Sequence, residues 1–148
     1  MSIYRERVLD GASAVDLVVA LYDGMVRFLS AAILAVDRGD VEARRAAVRR
    51  VLDIVIHLQA RLRVDVGGRP AQALSEFYAA LFAQILQGSQ AASRQKFEQA
   101  MDCVKNVREA WRQVARDPEV FQALSGNPVP ARVESATGDG VAVTSWTA

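Results

Sequence analysis

The sequence predicts an all-α protein, an antiparallel up-down four-helix bundle with a short N-terminal segment and a disordered C-terminal tail. Three observations predict it. Between Ser13 and Arg116 apolar residues recur at spacings of three and four, the period of one helix face. Gly39, Gly67-Gly68 and Gly88 divide that stretch into four segments. The connections are short, and short connections make sequential helices antiparallel neighbours.

The first helix is predicted over residues 14–38. Ser13 supplies an N-cap and Asp16 answers it three residues later. Leu17, Leu21, Met25, Phe28, Ala32 and Val36 form one apolar row, and Val18, Tyr22, Val26, Leu29 and Ile33 form a second. Two rows are wider than one stripe, so this helix contacts more than one partner. Gly39 ends it and Asp40 caps the second helix, residues 41–63, with Val48, Val51, Leu52, Val55, Leu58 and Leu62 on its apolar face. The Val/Ile-rich run at residues 52–56 suggests a strand by propensity alone, but the Ala- and Arg-rich turns around it favour helix. Gly67-Gly68 breaks the chain, and Pro70 suits the first turn of a third helix, residues 70–86, with its stripe at Leu74, Phe77, Tyr78, Leu81, Phe82 and Ile85. Residues 88–93 connect to the fourth helix, with Ser93 as its cap. That helix, residues 94–116, buries Phe97, Met101, Val104, Val107, Trp111 and Val114, and Asp117-Pro118 stops it. The chain thus divides into an N-terminal segment (1–12), a bundle (13–117), and a short helical turn followed by a tail (118–148). From Gly126 onward Pro, Gly, Ser and Thr dominate and no periodicity survives, as in disordered segments.

Composition narrows the function. The 148 residues carry 18 Lys+Arg against 17 Asp+Glu, a formal net charge of +1. That balance argues against a dedicated nucleic-acid binder, which needs a concentrated positive field. The densest basic run is Arg44, Arg45, Arg49 and Arg50, which helical spacing reads as a solvated sector. The one cysteine, Cys103, forms no internal disulfide and reads as a buried packing residue. No signal-peptide stretch opens the chain and no window is uniformly apolar over a membrane's width, so the expected location is the cytoplasm, without stable membrane insertion.

Catalytic chemistry finds little support. The only histidine is His57. A four-helix bundle with one exposed histidine invites comparison with histidine phosphotransfer domains, the alternative reading. Those carry a lysine three residues on and a glycine four residues on. Here Ala60 and Arg61 stand in those places. A di-iron bundle needs Glu-x-x-His pairs on two helices, which one histidine excludes. Gly67-Gly68 lacks the lysine of a phosphate loop. The chain reads as a non-enzyme with no metal and no cofactor.

The order of several motifs resembles the FliS family of flagellin export chaperones. Tyr4 matches a tyrosine in the family's opening segment. Ala12-Ser13-Ala14-Val15-Asp16-Leu17 followed by Leu21-Tyr22-Asp23-Gly24 resembles its helix start and Leu-Tyr-Asp-Gly motif. Leu62 with Gly67-Gly68 resembles the end of its second helix, and Phe77-Tyr78 stands where a Leu-Tyr pair is usual. Arg108-Glu109-Ala110-Trp111 resembles its Arg-Glu-Ala-Trp ending. Ala14 departs from a frequent proline, and the segment after Pro118 matches no family feature.

The resemblance implies a cytosolic chaperone that binds the C-terminal segment of flagellin. It would prevent premature polymerisation and deliver its cargo to a membrane protein of the flagellar type III export gate, with a homodimer among its open assembly states. The expected partner-binding set is Tyr4, Leu17, Leu21, Tyr22, Gly24, Ile54, Ile56, Phe77, Tyr78 and Phe82 around a groove that the core does not need, with Tyr4 and the Leu21–Gly24 motif placed there by the resemblance and Ile54, Ile56 and Phe82 as extra apolar residues of the second and third helices. Gly24, unfavourable mid-helix by about 0.5–1 kcal/mol relative to alanine, is expected to admit a close neighbour. Residues 3–8 are expected to shield the groove until the partner arrives. Deleting residues 126–148 should leave the melting temperature unchanged in a thermal scan; a large drop would show that Val141, Val143 or Trp146 packs on the bundle.

Overall fold

The structure, a computed structural model, describes residues 3–114, with side chains from residue 14 onward except at residue 64. The described residues form helices α1 (Ile3–Arg38), α2 (Val41–Ala60), α3 (Val64–Ala91) and α4 (Arg94–Val114), with no strand among them. Residues 52–56 are helical, as the flanking turns predicted. The tail expected after residue 117, and the last two residues expected in the fourth helix, lie outside the described residues.

Each helix packs on two neighbours in a closed ring, α1 on α2 and α4, and α3 on α2 and α4. The two apolar rows of α1 thus have two partners, as their width predicted. Side-chain bridges show the antiparallel directions. Arg94 at the start of α4 pairs with Asp37 at the end of α1. Gln84, late in α3, donates to the Lys96 carbonyl early in α4 at 3.0 Å.

The helix ends follow local chemistry. Gly39 adopts φ +67°, and the amides of Gly39 and Asp40 donate to the carbonyls of Val36 and Ala35 at 3.1 and 2.9 Å, a Schellman closure. The Asp40 carboxylate accepts from the Ala43 amide at 3.0 Å and caps α2. Ser93 Oγ accepts from the Lys96 amide at 3.2 Å and caps α4.

Five expectations need correction. α1 begins at Ile3, so residue 13 lies inside the helix and is not its N-cap position. Residues 3–13 hold no proline, and Gly11 alone costs about 1 kcal/mol, too little to stop a helix that continues on both sides. α2 closes at Ala60 through a turn in which the Arg61 and Leu62 amides donate to Leu58 and Gln59 at 3.2 Å. α3 starts at Val64, with its break at Gly68 alone, whose φ of 66° and ψ of −153° suit glycine only. It runs to Ala91, with Ala92 as its C-cap, and does not break at Gly88. Gly88 lies inside α3, where an added Cβ would stand 3.1 Å from the Phe97 ring. Here glycine serves close packing rather than punctuation. Finally, Cys103 is exposed. Phe97, Ala100, Val104 and Trp111 form the buried face of α4, and the residue before Val104 is turned about 100° away from it.

The core centres on Tyr22, Met25 and Leu29 of α1, Val51 and Val55 of α2, Tyr78 and Ile85 of α3, and Phe97, Val104 and Trp111 of α4. The Ala14–Arg38 stretch is long and apolar enough, by length and composition, to cross a membrane. In the bundle its most apolar face is this core. At the centre the Tyr22 and Tyr78 hydroxyls meet at 2.6 Å, joining the diagonal pair α1 and α3. The Trp111 indole N–H also bonds to this pair, and its ring centroid lies 6.4 Å from that of Tyr22. Burial pushes the Tyr22 phenol up to about 12, against the hydrogen bonds from Tyr78 and Trp111, and burial pushes Tyr78 up as well.

Ala92 holds a left-handed conformation, φ 49°, that costs alanine more than glycine. Ala92→Gly should raise stability by about 0.5–1 kcal/mol in urea unfolding. The tyrosine pair predicts an alkaline limit. Its folded-state pKa values exceed the unfolded value of 10.0, so the folded state keeps protons that the unfolded chain releases. The associated stability should be intact below pH 10.0 and fall as the pH rises toward about 12. Urea unfolding across this range should show a flatter curve for Tyr22→Phe/Tyr78→Phe than for the wild type.

Candidate functional site

The sequence offers apolar residues that the core does not enclose, and between α2 and α3 they line an open groove. One hollow of about 460 Å³ is lined by Val55, Ile56, Gln59, Ala60, Tyr78, Ala79 and Phe82. A second of about 320 Å³ continues from it along α2, lined by Arg45, Val48, Arg49, Leu52, Asp53, Ile56, Phe82 and Ser89. Ile56 and Phe82 border both and join them.

Helical geometry explains the furrow. Val48, Val51, Val55 and Leu58 turn to the core, and the residue after Val55 projects along the flank facing α3. Ile56 is therefore 53% exposed, a β-branched side chain left in water beside the half-buried Phe82. Across the groove, Ala60 and Ala79 are too small to fill the space between the helices. At the end nearest the α2–α3 connection, Gln59 Nε2 donates to Ser75 Oγ at 2.7 Å and ties the walls together. The Tyr78 ring forms part of the floor, with only 2% of the residue exposed and its hydroxyl committed to Tyr22.

The structure brings together three residues of the anticipated partner-binding set, Ile56, Tyr78 and Phe82. Tyr22 lies fully enclosed beneath them. The others occupy other surfaces. Leu17 is 41% exposed and Leu21 half-buried on α1, and neither lines the groove. Gly24 is buried against Ile54, whose Cδ1 would stand 3.2 Å from an added Cβ. The close neighbour admitted by this glycine is therefore a side chain of α2. Phe77 is half-buried and packs on the ring of Tyr78, centroids 5.5 Å apart. The backbone of Tyr4 belongs to α1, and its side chain, with the expected shield at residues 3–8, lies outside the described side chains.

Arg45, Arg49 and Asp53 border the groove and were not among the anticipated residues. They recur every four residues on one face of α2, a signal that a solvated-sector reading passes over. Arg50 lies over the Phe28 ring at 5.5 Å and Arg44 is half-buried, so the four arginines do not form a single sector. His57 is exposed in the last turn of α2, followed by exposed Ala60 and Arg61. No group of three or more His, Cys, Asp or Glu suited to a metal ion occurs among the described residues.

Two motifs that are distant in sequence meet in space. Arg108 donates to the Asp23 carboxylate at 3.0 Å, and Arg112 approaches the same oxygen at 3.7 Å. Directly inside this pair, Tyr22 packs against Trp111. The Leu21–Gly24 and Arg108–Trp111 motifs are therefore the two sides of one α1–α4 joint.

Comparison with known proteins agrees with this arrangement. The family model described as "Flagellar protein FliS" matches residues 1–118. A protein of Salmonella typhimurium named "Flagellar secretion chaperone FliS" is 32% identical over 111 residues, which cover 74% of this chain and 82% of that one. Proteins of the same name from Campylobacter jejuni and Vibrio cholerae are 29% and 26% identical over 106 residues, covering 72% of this chain and 83% and 78% of their own lengths. A family match across the whole bundle, together with the joint its motifs build, places this chain in the FliS family of flagellar proteins.

Proposed function

We propose that this protein is a cytosolic secretion chaperone whose cargo is the C-terminal segment of flagellin. It holds that segment in an unassembled state and delivers it to the export-gate membrane protein. The observation that carries the reading is the family match, borne by relatives named as flagellar secretion chaperones. The α2–α3 groove supplies the physics.

A helix-in-groove binder needs a rigid scaffold and an apolar furrow, and the bundle has both. The cargo is amphipathic, and its apolar face is the one that drives filament assembly. Covering that face on Ile56, Tyr78 and Phe82 removes it from competing contacts and removes exposed apolar surface from the chaperone. A segment that orders on binding spends part of its interaction energy on ordering, which keeps release within reach at the export machinery. In this reading Tyr22 and Gly24 act from beneath the surface, by fixing α1 against its neighbours. Tyr4 would work from the N-terminal turns as a displaceable cover. No step requires a cofactor, a nucleotide or catalysis.

Calorimetric titration of the full chain with a synthetic peptide of the flagellin C-terminal segment should give saturable binding with a negative heat-capacity change. Ile56→Glu, at an exposed position that the core does not need, should weaken binding roughly tenfold or more while leaving the helical circular-dichroism signal intact. Absence of any heat of binding to the wild-type chain would sink the flagellin reading.

A further inference from the structure

The groove changes chemical character along its length. At the Gln59 end its lining is apolar apart from that one amide. At the Ser89 end it is bordered by Arg45 and Arg49, with Asp53 a turn closer to the middle. Neither arginine makes an ion pair or hydrogen bond among the described residues. They stand one turn apart on α2, where like charges repel. Asp53 offsets part of this charge without closing an ion pair to Arg49. A carboxylate between the two guanidinium groups would relieve the repulsion.

We propose that the groove reads charge as well as apolar shape. Its occupant is an amphipathic segment whose apolar side chains fill the Gln59 end and whose acidic side chain lies between Arg45 and Arg49. Apolar contact alone tolerates sliding and reversal of a segment in an open furrow. One charged anchor at one end fixes both register and direction. The arginines are exposed, so they contribute orientation and encounter rate more than raw affinity. This inference rests on the chaperone reading for the source of the segment and stands apart from it in its chemistry.

The test titrates the full chain with the flagellin C-terminal peptide and with two synthetic amphipathic peptides. The synthetic peptides share one apolar face and differ in carrying glutamate or glutamine at one end. The glutamate peptide should bind about threefold more tightly than the glutamine peptide at low salt, and the difference should shrink as salt rises. Arg45→Glu/Arg49→Glu should abolish that preference, Arg45→Lys/Arg49→Lys should keep most of it, and Ile56→Ala should weaken both peptides alike. Equal binding of the two peptides to the wild type, or a preference unchanged in the charge-reversed variant, overturns the proposal. Sedimentation of the free chain covers the other occupant: a dimer that the charge reversal dissociates would make a second copy the ligand and overturns it too. If the glutamate preference holds while the flagellin peptide fails to bind, the groove chemistry stands and the flagellin reading falls. If flagellin binds with no dependence on either arginine, the flagellin reading stands and the charged anchor falls.

Discussion

Tyr22 and Tyr78 meet hydroxyl to hydroxyl in the middle of the bundle, and the geometry around them follows from that contact. Two phenols enclosed in an apolar core each need a partner, because an unpaired buried hydroxyl costs about 1–3 kcal/mol. They find one another across the diagonal, where α1 and α3 share little other contact, and the Trp111 indole completes the network from α4. A hydrogen bond of 2.6 Å tolerates little sliding, so the pair fixes the relative height and rotation of three helices. Burial of the same groups lifts their pKa values, which makes the core indifferent to pH until strongly alkaline conditions.

That fixed rotation has a consequence at the surface. With its hydroxyl held inward, Tyr78 presents the rest of its ring as the groove floor, and Phe82 follows one turn later on the wall. The groove is therefore an extension of the core, formed where Ala60 and Ala79 leave the α2–α3 layer unfilled. A binding surface continuous with a rigid core is preorganised, and preorganisation reduces what binding must spend on ordering the host.

The family signatures do a different job from the groove. Asp23 and Arg108 pair at 3.0 Å on the outside of the α1–α4 joint, and Tyr22 and Trp111 pack on its inside. These motifs hold the scaffold, and of the residues that line the groove Tyr78 alone belongs to one, the Phe77-Tyr78 pair. Membership of the FliS family is thus legible from the scaffold residues, while the recognition chemistry lies in side chains such as Ile56, Arg45 and Arg49, whose types are common on any helix.

By itself the sequence determined the helices, their antiparallel order and most of the core, because apolar periodicity and caps such as Asp40 and Ser93 act within one turn of chain. It also carried the family, through motifs whose order survives without a structure. Tertiary structure decided whatever depended on a neighbour far away in the chain. Gly88 read as a break and proved a packing notch for Phe97. Cys103 had apolar neighbours in sequence and an exposed position on the helix. Among the partner-facing candidates, three of similar apolar character met different fates: Ile56 faces the groove, Ile54 packs against Gly24, and Tyr22 is sealed in the core. Periodicity tells which residues share a face of one helix. Which faces meet, and what space they leave between them, depends on the volumes and hydrogen bonds of side chains brought together from different helices.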